Sequence, residues 1–193
     1  MKKIHILVGI IMLFGFTGCT SVPRGNQVNI APNTTVTLPS PASFGATTSV
    51  SQLITANWNG ETHTLPVQLQ ISENSVVLVG FSSWGTRILT LSYSENEIEE
   101  DTLAGLNAVL PDGRQVLLNI MLTLWPIESW IPHLSPIGWQ LIERDDNRVL
   151  FNANGETIAE IKYDEPLLAG KIPDTIRFEQ LRQDYQITIN TLK

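Results

Sequence analysis

The sequence predicts an α+β fold in which two runs of antiparallel strands flank a helical insertion. Short apolar, β-branched segments separated by turn residues occupy the chain on both sides of its middle. Between them, one segment breaks the two-residue alternation and places apolar residues at helical spacing. The expected order is four or five strands, a helical hairpin and four or five more strands, with the long meander curling around the inserted helices.

The first half of the meander begins with the clearest strand signal in the chain. Ser49–Trp58 and Glu61–Ile71 flank Asn59-Gly60, a dipeptide typical of tight hairpin turns. Pro66 predicts that the second arm is an edge strand or that a strand begins there, because proline cannot donate to a ladder. Further strands are predicted at Val76–Phe81 and Thr86–Ser92, and the acidic segment Glu95–Asp101 is interpreted as a solvated turn or edge strand rather than a metal site.

The helical insertion is predicted at Asp112–Trp125. Apolar residues at 116, 117, 120, 121 and 124 share one helical face, Asp112 is placed to cap the N-terminus, and Pro126 ends the helix. A second short helix, Ile127–Leu134, follows. The remaining strands are predicted at Trp139–Arg144, Arg148–Asn152, Thr157–Tyr163, Thr175–Gln180 and Tyr185–Thr191.

The N-terminus has the pattern of a bacterial lipoprotein precursor. Two lysines precede a run of about 13 mostly apolar residues, which is the length of a signal-peptide core and too short to span a bilayer. Small residues then lead to Cys19, the one cysteine in the chain. This ending resembles the lipobox of bacterial lipoproteins, which implies a signal peptide at residues 1–18 and a lipidated Cys19 that becomes the new N-terminus. The alternative is an ordinary signal peptide followed by an incidental cysteine, which would have no disulfide partner.

Residues 19–48 are predicted to form the lipidated cysteine and a flexible tether, and residues 49–193 a single domain. The segment after Cys19 is rich in Ser, Thr, Asn, Gly and Pro, and its few apolar residues show no sustained period. The alternative for the section from Val36 to Phe44 is an irregular arm packed on the domain. A domain of this length can bury a substantial core.

Charge and motifs exclude several classes of function. The chain carries 12 basic and 19 acidic residues, so it lacks the excess of positive charge that nucleic-acid binding requires. His63 and His133 lie far apart in the sequence and have no nearby cysteine, which makes a zinc site unexpected. No nucleophile elbow and no glycine-rich phosphate loop occurs. We expect no enzymatic activity, no cofactor and no metal.

The unusual feature of the chain is the excess of large apolar side chains around the helical insertion. These residues either fill the core, as most buried aromatics do, or line a hollow beneath the helix that binds a hydrophobic ligand. The candidate ligand-binding residues are Leu117, Met121, Leu124, Trp125, Trp130 and Trp139.

Several short patterns resemble an uncharacterised family of lipoproteins that occur with aryl-polyene pigment biosynthesis clusters in Gram-negative bacteria. They are Leu-Thr-Leu-Trp-Pro at 122–126, Gly-Trp-Gln-Leu at 138–141, Ile-Lys-Tyr at 161–163 and Tyr-Gln-Ile-Thr-Ile at 185–189. The resemblance runs from the cysteine motif to the C-terminus. In bacterial lipoproteins, aspartate directly after the lipidated cysteine commonly marks retention at the inner membrane. Thr20 in that position therefore favours the outer membrane.

The arrangement also resembles that of the lipoprotein receptor LolB and its periplasmic relative LolA, most clearly at Gly138-Trp139-Gln140 and in the last two strands. This resemblance implies an open half-barrel, a curved antiparallel sheet whose concave face is capped by the helical insertion over an apolar cavity. It implies an outer-membrane, periplasm-facing protein that binds or transfers a hydrophobic or acyl ligand, with a periplasmic carrier or biosynthetic protein as partner. The alternative is a lipid-anchored scaffold with a filled core and no ligand.

Overall fold

The computed structural model describes residues 25–193 apart from 59, 95, 107–109 and 169. The predicted signal peptide and Cys19 lie outside the described residues. The strands are β1 (Gln27–Ala31), β2 (Thr34–Thr37), β3 (Thr48–Trp58), β4 (Glu61–Ile71), β5 (Ser75–Phe81), β6 (Arg87–Ser94), β7 (Glu97–Thr102), β8 (Gln140–Arg144), β9 (Asn147–Phe151), β10 (Thr157–Tyr163), β11 (Thr175–Gln180) and β12 (Tyr185–Leu192), and the helices are α1 (Gly113–Leu124) and α2 (Ile127–Leu134). Short 3-10 turns occupy Pro41–Phe44 and Ser135–Ile137.

Ten of these strands form one curved antiparallel sheet in the order β7-β6-β5-β4-β3-β12-β11-β10-β9-β8. Strands β3 and β12, which lie far apart in the sequence, pair from Ser51 to Trp58 and join the two meanders. In the described part of the chain, β7 and β8 are the two edges and do not pair, so the sheet stays open. The two helices connect one edge strand to the other. The predicted fold class, a curved antiparallel sheet with a helical insertion, is confirmed.

Helix α1 begins and ends where the sequence predicts. The Asp112 carboxylate accepts a hydrogen bond of 2.8 Å from the Arg114 backbone N–H, which satisfies one of the unpaired donors of the first turn. Pro126 follows Trp125, whose extended backbone ends the helix. Among the described residues, no helix has the length and hydrophobicity needed to cross a membrane.

Strand β4 corrects one expectation. Pro66 lies in its interior, and β4 lies between β3 and β5, so Pro66 does not begin a strand and β4 as a whole is not an edge strand. The proline is tolerated because β5 pairs with β4 only from Val67 onward, whereas residues 61–66 pair with β3. The half of β4 that contains Pro66 is therefore a local edge. The acidic segment forms the edge strand β7, which was one of the two structures expected for it.

The expected tether is wrong for residues 27–48, and the alternative of an arm packed on the domain is correct for Val36 to Phe44, although its first residues lie in a strand. Strands β1 and β2 form a hairpin around Asn33, which adopts a positive φ of 59°. Its inward-facing residues, Val28, Ile30 and Val36, are at most 3 % exposed. Leu38, which follows the hairpin, is buried to the same extent. Phe44, in the 3-10 turn, is also fully buried. The strands are only five and four residues long, so their alternation is too short to stand out from a polar, proline-containing background.

The N-terminal hairpin also explains why α1 is so apolar. The hairpin strand β1 contacts α1, β2 contacts α2, and the sheet contacts α1 from the other side through β11. A helix enclosed on both sides needs apolar residues on both sides. The side chains from Leu117 to Leu124 are all buried accordingly. The core therefore has three layers: hairpin, helices and sheet.

Candidate functional site

The six residues predicted to line a ligand cavity lie in this packed core. Leu117, Met121, Leu124, Trp125, Trp130 and Trp139 are each at most 6 % exposed. The Trp125 ring lies 5.1 Å from that of Phe44, and its indole N–H donates to the Ser40 carbonyl at 3.0 Å. The Trp130 indole N–H donates to the Met121 carbonyl at 3.3 Å. These hydrogen bonds satisfy the indole N–H of each tryptophan inside an apolar core, as buried indoles require.

Two of the six predicted residues also reach a cleft at the edge of the sheet. Trp130 and Trp139 line a space of about 180 Å³ between α2 and β8. Ile131 opens toward solvent beside it and is about half exposed. The structure brings Trp130 and Trp139 together at this cleft, whereas none of Leu117, Met121, Leu124 and Trp125 lines it. The volume is well below the 300–1,000 Å³ typical of small-molecule pockets.

Half-buried apolar residues also lie on the inner face of the sheet, the face directed at the helices. The strand register places Leu65, Ile54, Ala56 and Ile187 next to one another there, across β4, β3 and β12. All four side chains are half-buried, and Ile54, Leu65 and Ile187 also pack against the core. Together with Tyr185 at the start of β12 they form what we call the inner-face strip. It consists of residues that sequence reasoning assigned to strands but not to a site.

A polar group on α1 lies at the Tyr185 end of the inner-face strip. The Asn119 amide donates to the Tyr185 hydroxyl at 3.0 Å, and the Gln115 amide donates to the Asn119 carbonyl oxygen at 3.2 Å. Burial raises the pKa of Tyr185, an effect larger than the lowering by its bonds to Asn119 and Gln115. The phenol is therefore neutral at physiological pH. The Tyr185 ring stacks on Phe178 with centroids 6.0 Å apart, which fixes its orientation.

The other end of α1 is held by a buried arginine. Arg148 of β9 is 2 % exposed and donates from one nitrogen to the carbonyls of Leu122 and Trp125, at 3.0 and 2.8 Å. Its Nε donates to the Glu143 carboxylate at 2.6 Å. The carbonyls at a helix C-terminus carry partial negative charge, so the guanidinium satisfies them and complements the helix dipole. The Tyr163 hydroxyl adds a bond of 2.7 Å to the Thr123 carbonyl.

The turn between β5 and β6 exposes a tryptophan. Trp84 is 91 % exposed, the largest exposure of any large apolar side chain among the described residues. The turn is held by bonds from the Ser82 N–H to the Thr86 carbonyl at 2.8 Å and from the Gly85 N–H to the Ser82 carbonyl at 2.9 Å. Gly85 has a φ of 78°, which favours glycine at that position. This tip lies at the same end of the sheet as the start of β4 and of β12.

The histidines considered in the sequence lie apart from each other. His63 lies on the inner face of β4, and its Nε2 is 3.4 Å from the Glu61 carboxylate. His133 is in the last turn of α2. Across the described ranges, no three His, Cys, Asp or Glu side chains are grouped as metal ligands would be.

Sequence reasoning missed the residues that shape the inner face: Asn119, Arg148, Tyr185 and Ile187. For two of them a signal was present. Asn119 is an amide within an otherwise apolar stretch of helix, and Arg148 shares the alternation of the buried Leu150. Tyr185 and Ile187 belong to the pattern at 185–189 that carries the family resemblance, but nothing in it indicates a site, because their neighbours come from the distant strand β3.

Comparisons with known proteins identify the family of the chain. No curated protein matches the chain. A DUF1329 family protein from Desulfovibrio piger is 7 % identical, with a TM-score of 0.39 over 81 % of this chain and 92 % of that one. A putative outer membrane lipoprotein-sorting protein domain from Vibrio parahaemolyticus is also 7 % identical, with a TM-score of 0.40 over 77 % of this chain and 84 % of that one. Residues 49–193 match a family model described as "Protein of unknown function (DUF3261)", and the chain belongs to that family.

Proposed function

We propose that this protein is a non-enzymatic, outer-membrane lipoprotein that binds a hydrophobic, acyl-like ligand on its inner-face strip and releases it to the membrane or to a partner protein. The observation that carries the proposal is the half-buried row of Ile54, Ala56, Leu65 and Ile187 on the inner face of an open sheet. Water contacts apolar side chains there that a closed core would cover, so an apolar ligand gains free energy by replacing that water.

The expected affinity suits transfer rather than storage. Covering about 300 Å² of apolar surface at roughly 25 cal/mol per Å² contributes about 7 kcal/mol. Association costs absorb about half of that or more. The ligand would therefore exchange readily. Trp84 supports delivery to a lipid surface, because an indole is stable at a membrane interface and the tip carries it at the same end of the sheet as the strip.

The lipoprotein motif and the resemblance of the sequence support two narrower proposals. The protein faces the periplasm and is held at the outer membrane by acyl chains on Cys19. Its cargo is an aryl-polyene lipid or a lipoprotein acyl chain, received from a periplasmic carrier or a biosynthetic protein. No cofactor takes part in binding of this kind.

Replacing Cys19 with serine is expected to remove the anchor. The Cys19→Ser chain should lack acyl modification and be absent from the outer-membrane fraction, because several acyl chains are needed for stable anchoring. Mass spectrometry of the mature protein and membrane fractionation check this result. An unmodified Cys19 in the wild-type mature protein would contradict it.

A filled core favours a second candidate function, a lipid-anchored scaffold without a ligand. The six side chains first expected to line a cavity are at most 6 % exposed and contact protein neighbours instead. In that case the functional surfaces are the exposed tip at Trp84 and the sheet edges.

The inner-face strip can be tested by replacing adjacent residues on opposite faces of β3. Ile54 faces inward and Leu53 faces outward, and both are half-buried. Ile54→Gln should weaken binding of a fluorescent decyl-chain probe about tenfold, because about 50 Å² of apolar contact contributes about 1.3 kcal/mol. The mature lipidated protein is measured in nanodiscs, with empty nanodiscs as the baseline. Leu53→Gln should leave binding unchanged.

The outcomes separate the two candidate functions. Equal weakening of probe binding by both substitutions would indicate that they lower the stability of the protein rather than disrupt a binding site. A wild-type protein that binds no probe would favour the scaffold.

A further inference from the structure

The side of α1 that meets the start of β12 is polar, although the helix is apolar elsewhere. Gln115 and Asn119 lie four residues apart, so they share one side of the helix. They are directed at Tyr185 on the inner face of the sheet, and Asn119 is only 8 % exposed. Because the Asn119 side chain is buried, its amide does not serve to keep the surface of the protein soluble. Its partner Tyr185 lies two residues before the half-buried Ile187 on β12.

The polar group has hydrogen-bonding capacity left for a ligand. In the described part of the chain, the Asn119 amide nitrogen donates to Tyr185, and its oxygen accepts from Tyr185 and Gln115. An amide nitrogen has two hydrogens, so one donor remains. An acceptor such as a carbonyl oxygen satisfies it. The site therefore has a hydrogen-bond donor at the end of an apolar strip. This arrangement suits an amphiphile with an apolar chain and a headgroup that accepts a hydrogen bond.

The charges around the strip disfavour an anionic head. Glu61 and His63 are the ionisable residues on the neighbouring part of β4, and the Glu61 carboxylate would repel an anion. Arg114 donates to the carbonyls of Gly25 and Gln27, and Arg148 is committed to α1 and Glu143. A buried carboxylate without a cation is costly, whereas a neutral carbonyl needs one donor.

We propose that Asn119, supported by Gln115 and Tyr185, binds the neutral carbonyl of an acyl ester or amide whose chain lies on the inner-face strip. This proposal rests on the proposed function and narrows it to a class of ligand. It selects esters and amides against free fatty acids. Asn119 makes the contact, and Tyr185 and Gln115 orient it.

Competition in nanodiscs tests this selectivity. The mature lipidated protein is loaded with the fluorescent decyl-chain probe, and three competitors are compared: methyl decanoate, the matching ether that lacks the carbonyl, and the decanoate ion. The ester should displace the probe about fivefold better than the ether, the effect of one neutral hydrogen bond. Decanoate should be the weakest of the three.

Asn119→Leu should remove the advantage of the ester over the ether while leaving ether binding nearly unchanged. Tyr185→Phe is the second variant, since it keeps the ring and removes only the hydroxyl, and it should reduce the same advantage. Both variants are checked for a wild-type thermal midpoint. Decanoate binding best, or an ester advantage that survives in Asn119→Leu, would overturn the proposal while leaving an acyl-binding strip intact. A wild-type protein that binds none of the compounds would overturn both proposals.

Discussion

A version of the chain that begins at Pro39 is expected to lose most of its stability. It lacks β1, β2 and the buried side chains Val28, Ile30, Val36 and Leu38. Full burial of each such side chain contributes about 1.5–3 kcal/mol. Their sum rivals the whole stability of a typical domain, about 5–15 kcal/mol. Thermal unfolding followed by circular dichroism should show a midpoint lowered by at least about 10–20 °C, or no cooperative transition.

Matched controls separate the hairpin from the length of chain removed. A version that begins at Gly25 keeps every described residue and should unfold at the same midpoint as the full mature chain. Asn29→Ala, on the exposed side of β1, should also have little effect. If the version beginning at Pro39 were as stable as the one beginning at Gly25, the hairpin would not be part of the cooperative core.

Replacing Arg148 with methionine is expected to destabilise the protein by about 3–5 kcal/mol. The substitution leaves the carbonyls of Leu122 and Trp125 without their donor and removes the partner of Glu143. Each of these two buried carbonyls costs about 1–3 kcal/mol when it loses its donor, whereas Glu143 is exposed and is solvated without its partner. Arg148→Lys should recover only part of the loss, since an ammonium cannot reproduce the planar geometry of the guanidinium. Denaturant unfolding measures each value.

Arg144→Met is the matched control for this experiment. Arg144 lies in the same β8–β9 hairpin but is exposed, so its loss should change stability by less than about 0.5 kcal/mol. Equal effects of the two substitutions would show that Arg148 does not hold α1 to the sheet.

The sheet was predictable where pairing is local. Strands β3 and β4 pair up to Trp58 and Glu61 as expected, because Asn-Gly at 59–60 is a dipeptide that favours a tight hairpin. The boundaries of α1 were predictable because Asp112 and Pro126 determine them through local chemistry. The pairing of β3 with β12 has no local signal, since it joins residues more than a hundred positions apart.

One omission explains two differences between the sequence-based expectations and the structure. The segment 19–48 was expected to be a tether, so the apolar excess of α1 left two alternatives open: core packing or a ligand cavity. With the hairpin in place, Trp125 contacts Phe44 and the Ser40 carbonyl, so the excess is accounted for by core packing. The candidate site therefore lies on the open inner face, where Ile54 and Ile187 come together from strands that the sequence does not bring together.

Photo-crosslinking with an acyl ester tests the central claim most directly. A decanoyl ester with a diazirine near the end of its chain is bound to the mature protein in nanodiscs, irradiated, and mapped by mass spectrometry. The account predicts labels on β3, β4 and β12, at inner-face residues such as Ile54, Leu65 and Ile187. Labels confined to the α2–β8 cleft beside Ile131 would contradict it. So would labelling of the inner face that an excess of unlabelled ester does not reduce.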